Sequence, residues 1–68
     1  MREISAKLGK NLKKIRTNKK LSQGAIARKL GVHCAYISGI EHGKRNPTLA
    51  TVERLANALD VSADELLK

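Results

Sequence analysis

Two short helical segments on either side of a glycine constrain the fold of this chain more than any other feature. Ser22 is a favourable N-cap, and apolar side chains recur on one side of a helix predicted over residues 23–30. Gly31 ends that helix after two turns, because a glycine just past a helix readily adopts the left-handed backbone. A second short helix is predicted from about residue 33 to 41. Ala27 is small where these two helices must approach each other closely.

A stripe of aliphatic residues predicts an earlier helix. Leu8, Leu12 and Ile15 follow helical spacing, and lysines largely surround them. The 68 residues include one Tyr and no Phe or Trp, and such an inventory of small aliphatic side chains suits closely packed helices. No segment alternates between apolar and polar residues with a period of two. The sequence therefore predicts an all-α protein with a single domain over residues 1–68.

Helices are also predicted over about residues 48–68. Asn46-Pro47-Thr48 is a turn sequence, and Thr48 is placed to cap the next helix. Ser62, with Glu65 three residues later, has the spacing of a capping box, in which each side chain bonds the backbone N–H of the other. The chain is thus predicted to contain five helices.

The central helix pair, over about residues 22–42, has the form of a helix-turn-helix. A helical wheel of its second helix places Tyr36, Ile37 and Ile40 toward the core. In a helix-turn-helix, the opposite face of this helix enters the major groove of DNA. That face carries no carboxylate, and its residues are Cys34, Ala35, Ser38, Gly39 and His42.

The distribution of charge indicates a polyanionic partner. Fourteen Lys and Arg residues against six Asp and Glu give a net charge of +8. The excess lies in residues 1–50, which carry +10, whereas residues 51–68 carry −2. This asymmetry favours double-stranded DNA or another nucleic acid as the partner, with an anionic membrane surface as the second candidate. A basic surface that serves only solubility is the remaining interpretation.

The sequence offers no recognisable enzyme machinery. It lacks a glycine-rich phosphate loop and a nucleophile–base set, and its small core leaves little room for a substrate pocket. His33, Cys34 and His42 lack a convincing fourth ligand, so neither a metal nor another cofactor is expected. His33 is predicted to be an imperfect cap and Cys34 a free surface thiol, with a redox-sensing thiol as the alternative. No stretch approaches the roughly 18 apolar residues of a membrane span.

A known family is recognisable in the run LSQGAIARKLGVHCAYISGIEHGKRNPTLATVERLANALDVSADELL. The chain resembles, from about Leu8 to Leu67, the helix-turn-helix domain of phage repressors and Cro-type regulators, the xenobiotic-response-element family. The segment VHCAYISGIEHGKRNPT is similar to controller proteins of restriction-modification systems. The marks of the family are Ser22-Gln23, Ala27, Leu30-Gly31-Val32, Tyr36-Ile37-Ser38, Ile40-Glu41, Gly43 and Arg45-Asn46-Pro47.

The resemblance implies a compact five-helix, lambda-repressor-like domain that regulates transcription. Such a protein binds a pseudo-palindromic operator as a homodimer and acts as a repressor or autoregulator. Such a protein is expected in the bacterial cytoplasm, where it associates with the nucleoid. Its origin is bacterial or phage. A restriction-modification controller, which activates as well as represses, is one alternative. An antitoxin or protein-interaction module with secondary DNA binding is another, and a non-specific nucleic-acid or membrane-surface binder is the third.

The resemblance also implies a role for each matching position. Arg16 and Glu41 match a structural pair that joins the first helix to the end of the recognition helix, and this arginine can also point at a phosphate. Tyr36 is either a packing residue or a phosphate contact through its hydroxyl. Further positions that match contacts to DNA phosphates are Gln23, Lys44, Arg45 and Asn46. Positions that match base-reading contacts are Cys34, Ala35, Ser38 and Gly39.

The base-reading positions depart from the pattern of the family. They usually include long polar side chains that form bidentate contacts, whereas here they offer a thiol, a methyl, a hydroxyl and a hydrogen. We therefore expect modest direct readout. Specificity is expected to depend on DNA shape, on Lys44 or Arg45 near a groove edge, or on a close approach at Gly39.

The acidic, apolar C-terminal third suits a dimer interface better than a DNA-facing surface. Its large aliphatic residues are candidates for that interface, although each of them is also a candidate for the core. These candidates are Leu49, Val52, Leu59, Leu66 and Leu67.

Overall fold

The computed structural model describes the backbone of residues 2–68 and the side chains of residues 4–68. Within residues 2–68 the elements are α1 (Arg2–Asn18), α2 (Gln23–Leu30), α3 (Cys34–Glu41), α4 (Leu49–Leu59) and α5 (Ala63–Leu67). No strand occurs in this range, so the predicted all-α, five-helix fold is confirmed. Among these helices, none combines the length and the apolar character that crossing a membrane requires.

One apolar core joins the helices that the structure describes. Each helix contributes a side chain with no exposed surface, and these are Leu12, Ile26, Ile37, Leu55 and Leu66. Burial of such a side chain stabilises the folded state by about 1.5–3 kcal/mol. The remaining buried apolar residues of the cluster are Leu8, Ala27, Leu30, Ile40, Val52, Ala56 and Leu59.

Three predicted N-caps are formed by side chains. The hydroxyl oxygens of Ser22 and Thr48 each accept a hydrogen bond from the backbone N–H three residues later, at 3.0 and 3.3 Å. Nδ1 of His33 accepts from the backbone N–H of Ala35 at 3.1 Å. These bonds satisfy N–H groups that the first turn of a helix leaves without a partner, and they confirm where α2, α3 and α4 begin.

The predicted capping box before α5 is wrong. Ser62 is the N-cap residue of α5, but its side chain makes no capping hydrogen bond. The backbone carbonyl of Ser62 instead accepts from the N–H of Glu65 at 3.1 Å. The start of this five-residue helix is therefore held by backbone bonding and by the burial of Leu66.

The structure also corrects the set of candidate interface residues. Val52, Leu59 and Leu66 belong to the core of a single chain, with at most 3% of their surface exposed. They are unavailable to a second copy because α1, α2 and α4 already pack around this core. Leu49 is 66% exposed and Leu67 is 41% exposed, so these two remain candidates for an interface.

Two polar side chains tie together helices that are distant in the sequence. Nη2 of Arg54 on α4 donates to the carbonyl oxygen of Leu30, the last residue of α2, at 2.5 Å. Nδ2 of Asn11 on α1 donates to the carbonyl oxygen of Leu66 on α5 at 2.9 Å. These bonds satisfy carbonyl groups near the ends of α2 and α5, which have no partner within their own helices.

Candidate nucleic-acid interface

The connection between α2 and α3 is a tight turn built on Gly31. The backbone of Gly31 is left-handed, with φ of +70°, a conformation that glycine adopts without a steric penalty from Cβ. The N–H of Val32 then returns to the carbonyl oxygen of Ala27 at 3.0 Å. This closes the C-terminus of α2 and allows His33 to start α3 two residues after the glycine.

The two faces of α3 are as the sequence predicts. Ile37 and Ile40 have no exposed surface, and Tyr36 is half-buried against the same core. On the outward face, Cys34 and Ala35 are exposed, whereas Ser38 and Gly39 are half-buried. The structure thus places the four predicted base-reading positions together on one side of α3.

A partly buried cluster of polar side chains joins α1, α2 and α3 beside this face. Nε and Nη2 of Arg16 donate to the two carboxylate oxygens of Glu41, at 2.5 and 3.1 Å. Nε2 of Gln23 donates to Oε1 of Glu41 at 2.9 Å. Burial raises the pKa of the Glu41 carboxyl, but the hydrogen bonds from Arg16 and Gln23 and the charges of Arg16 and Lys13 outweigh it. The pKa of Glu41 therefore lies below its ordinary value.

This cluster limits what two of the predicted phosphate contacts can do. Nη1 of Arg16 also donates to the carbonyl oxygen of Leu21 at 2.8 Å, and only 11% of the Arg16 side chain is exposed. Arg16 therefore serves the structural pair with Glu41. The side chain of Gln23 is half-buried and also bonds Glu41, while its backbone lies at the N-terminus of α2, where N–H groups point outward.

The loop after α3 brings the other predicted phosphate contacts to the same region. Lys44, Arg45 and Asn46 are all exposed. The backbone N–H of Lys44 donates to the carbonyl oxygen of Gly39 at 2.9 Å, so the loop is tied to the middle of α3. Cζ of Arg45 lies 5.6 Å from the centroid of the Tyr36 ring, which is within the range of a cation–π contact.

Two residues that support this surface were not predicted. Ser5 on α1 is buried, and its hydroxyl donates to Oδ1 of Asn46 at 3.4 Å, which links the loop to α1. Gly9 lies where α1 crosses the end of α3, because an ideal Cβ there would be 2.4 Å from the carbonyl oxygen of Ile40. The available signal was a glycine inside the helical stripe between Leu8 and Leu12.

His33 and Cys34 lie at the start of α3, and His42 lies at its end. Sγ of Cys34 is 4.0 Å from Nδ1 of His33, the atom that caps the helix. Nδ1 of His42 lies 2.7 Å from the carbonyl oxygen of Ser38 and donates to it. The side chains that the structure describes contain no group of three His, Cys, Asp or Glu residues able to hold a metal ion.

Comparison with known proteins identifies the family. The sequence profile of the helix-turn-helix family matches residues 12–66, which include all of α2, α3 and α4. The chain therefore belongs to the helix-turn-helix family. A relative in Sinorhizobium fredii, the helix-turn-helix-type transcriptional regulator y4dJ, is 40% identical over 60 residues, which span 88% of this chain and 78% of y4dJ. The predicted class of protein, a DNA-binding transcriptional regulator, is confirmed.

Two solved structures of helix-turn-helix proteins have the same fold. The restriction-modification controller protein C.AhdI of Aeromonas hydrophila superposes with a TM-score of 0.86 at 40% identity, over 91% of this chain and 94% of C.AhdI. The controller protein C.Esp1396I, solved as a tetramer in complex with its natural 35-base-pair operator, superposes with a TM-score of 0.80. It is 34% identical, and the match covers 96% of each chain. The family is one of DNA-binding regulators rather than enzymes.

Proposed function

We propose that this helix-turn-helix protein binds a pseudo-palindromic operator as a homodimer and represses transcription, including that of its own gene. The observation that carries the proposal is the geometry of α2 and α3: a tight turn at Gly31 presents the carboxylate-free face of α3 outward. In this arrangement α3 enters the major groove, and the residues near its N-terminus lie nearest the base edges. Cys34, Ala35 and Ser38 face the bases.

Affinity in this proposal comes mainly from DNA phosphates. The N-terminus of α2 at Gln23 offers backbone N–H groups to one phosphate, and such helix ends favour anions. Lys44 and Asn46 contact the DNA backbone from the exposed loop, and the hydroxyl of Tyr36 is a further candidate. A dimer that neutralises about eight phosphates gives a slope near −7 for the logarithm of affinity against the logarithm of salt concentration.

Dimerisation is proposed because one small domain makes few phosphate contacts. Two recognition helices roughly 34 Å apart would occupy successive major grooves on one face of the DNA. The exposed side chains of Leu49 and Leu67 are the interface candidates that the core leaves free. Both lie in the C-terminal part of the chain, near the stretch from residue 51 to 68 that carries a charge of −2 and suits a protein contact better than a DNA contact.

A restriction-modification controller is the second candidate function. Its support is the match to C.AhdI, a protein of that class, which extends over 94% of the C.AhdI chain. A controller would activate as well as repress, according to which operator sites are occupied. In either case the protein would act in the cytoplasm, where it would associate with the nucleoid.

The test is a fluorescence anisotropy titration on DNA from upstream of the gene, beside a scrambled duplex of equal length, at about 150 mM salt. We expect a preference above roughly 1,000-fold for the upstream DNA, with two protomers bound per site. Equal binding to both duplexes would contradict operator recognition at that site, and no binding to either would contradict the DNA-binding role. Leu67→Asp is expected to weaken binding by disrupting the dimer, whereas Asn57→Asp, which adds the same negative charge at an exposed position of α4, is the control.

A further inference from the structure

Gly39 in the middle of α3 makes room for a side chain from the following loop. An ideal Cβ on Gly39 would lie 2.8 Å from Cγ of Arg45 and 3.4 Å from its Nε. The aliphatic stem of Arg45 therefore lies directly against the backbone of α3. Any other residue at position 39 would push this side chain away, since real Cβ atoms do not approach so closely.

A second contact holds the guanidinium group of Arg45. Its Cζ lies 5.6 Å from the centroid of the Tyr36 ring, three residues before Gly39 on α3. Guanidinium groups interact favourably with the faces of aromatic rings, and a ring packed against the core moves less than a fully exposed one. The Tyr36 ring is half-buried and packed against the core. Arg45 is thus positioned at its stem by Gly39 and at its head by Tyr36.

The outward face of α3 lacks a side chain of its own that can form a bidentate contact with a base. Cys34 and Ala35 are exposed but short, and the Ser38 hydroxyl offers one polar atom where a bidentate contact needs two. Arginine is the side chain that pairs most often with guanine, through O6 and N7 in the major groove. Arg45 comes from outside α3, yet it lies over this face.

We propose that Arg45, seated over Gly39 and against the Tyr36 ring, is the specificity-determining residue of this protein and reads a guanine in each half-site. Gly39 is then a positioning residue and not a base contact, and Arg45 is not a simple phosphate contact. This inference rests on the proposed function, because it requires that the face of α3 lies in the major groove.

The experiment selects bound duplexes from a random DNA pool with the wild-type protein and with Arg45→Ala, Gly39→Ala, the double variant and Lys44→Ala. Affinities are then measured on the selected duplex and on copies with each G·C pair replaced. The wild type is expected to prefer G at one position of each half-site by about 5- to 150-fold. Arg45→Ala is expected to lose this preference. Gly39→Ala should lose it with Arg45 intact, and the double variant should lose nothing more.

Lys44→Ala, in the same exposed loop, is the control: it should weaken all duplexes about equally and reduce the size of the salt slope of the dimer by about 2, one phosphate contact per protomer. A uniform loss for Arg45→Ala would overturn the base-reading role, and an unchanged preference in Gly39→Ala would overturn the positioning role. If Gly39→Ala is poorly folded, Arg45→Ala decides the base-reading role alone. A wild-type protein that selects no consensus would contradict the proposed function as well as this inference.

Discussion

Arg16 on α1 and Glu41 at the end of α3 form a bidentate ion pair between residues 25 positions apart, with N–O distances of 2.5 and 3.1 Å. Only 11% of the Arg16 side chain and 2% of the Glu41 side chain are exposed. The third bond of Arg16 reaches the carbonyl oxygen of Leu21 in the connection to α2. The pair therefore fixes α3 relative to α1 and to the start of α2, and so sets the angle at which the recognition helix is presented.

Loss of one partner from this buried pair is expected to be costly. Arg16→Ala leaves the Glu41 carboxylate buried with Gln23 as its remaining donor, and such a change costs about 3–5 kcal/mol. Arg16→Lys keeps the charge but loses the forked geometry, so we expect an intermediate loss of about 1–3 kcal/mol. Urea unfolding measures both, and Lys10→Ala on the exposed face of α1 is the control, with a change within about 0.5 kcal/mol. Equal stability of Arg16→Ala and the control would show that the pair contributes nothing.

The lowered pKa of Glu41 predicts a loss of stability in acid. Because the pKa of Glu41 in the folded protein lies below its value in the unfolded chain, the ionised carboxylate stabilises the fold above the unfolded pKa of about 4.3. This contribution disappears as the pH falls through the folded pKa. Glu41→Gln should therefore be less stable than wild type at pH 7 but should lose less stability below about pH 4.3.

Unfolding free energies at a series of pH values from 7 to 3 measure this difference. Glu53→Gln, which removes an exposed carboxylate from α4, is the control variant. Parallel slopes for wild type and Glu41→Gln would contradict the prediction, since the linkage between protonation and folding would then come from other groups.

The features that the sequence predicts well are local ones. Ser22, Gly31 and Thr48 start or end helices through bonds that span three or four residues, so their type and spacing are enough to place the helix ends. The aliphatic stripe of α1 is confirmed for the same reason, because Leu8 and Leu12 lie on one face of a single helix. The outward face of α3 follows from the same periodicity.

Apart from the Arg16–Glu41 pair, which the family resemblance implied, features that depend on packing between distant segments were not predicted. Asn11 and Leu66 are 55 residues apart, and neither residue type signals the bond between them. The aliphatic pattern of α4 and α5 likewise cannot distinguish core residues from interface residues. Leu49 and Val52 lie about one turn apart, yet Val52 is buried and Leu49 is exposed. The contact of Arg45 with Gly39 requires the path of the loop, which is a tertiary property.

Ser22 and Ser62 are the N-cap residues of α2 and α5, and their alanine variants test which of these helix starts depends on a side chain. Ser22→Ala removes the hydroxyl that accepts the Ala25 N–H at 3.0 Å, and we expect a loss of about 0.5–2 kcal/mol. Ser62→Ala is the matched control because the Ser62 side chain makes no capping bond, so its change should be a few tenths of a kcal/mol. Thermal unfolding of both variants measures the difference. A loss for Ser62→Ala as large as that for Ser22→Ala would contradict this difference between the two helix starts.

Alanine substitution at two helical glycines is expected to change the stability of the protein in opposite directions. Gly9→Ala would place Cβ 2.4 Å from the carbonyl oxygen of Ile40 and 2.7 Å from that of Glu41, both of which are backbone atoms at the end of α3. Because neither neighbour is a flexible side chain, α1 and α3 must move apart, and we expect a loss of about 1–3 kcal/mol.

Gly24→Ala in α2 meets no atom closer than 3.8 Å, so the better helix propensity of alanine is expected to stabilise the protein by about 0.5–1 kcal/mol. Urea unfolding of both variants measures the two effects, with the wild type between them. Because Gly9 also sets the distance between α1 and the end of the recognition helix, Gly9→Ala should weaken operator binding at temperatures where it remains folded. Unchanged stability of Gly9→Ala would show that the α1–α3 contact yields easily, and would remove the basis for a role of Gly9 in presenting α3.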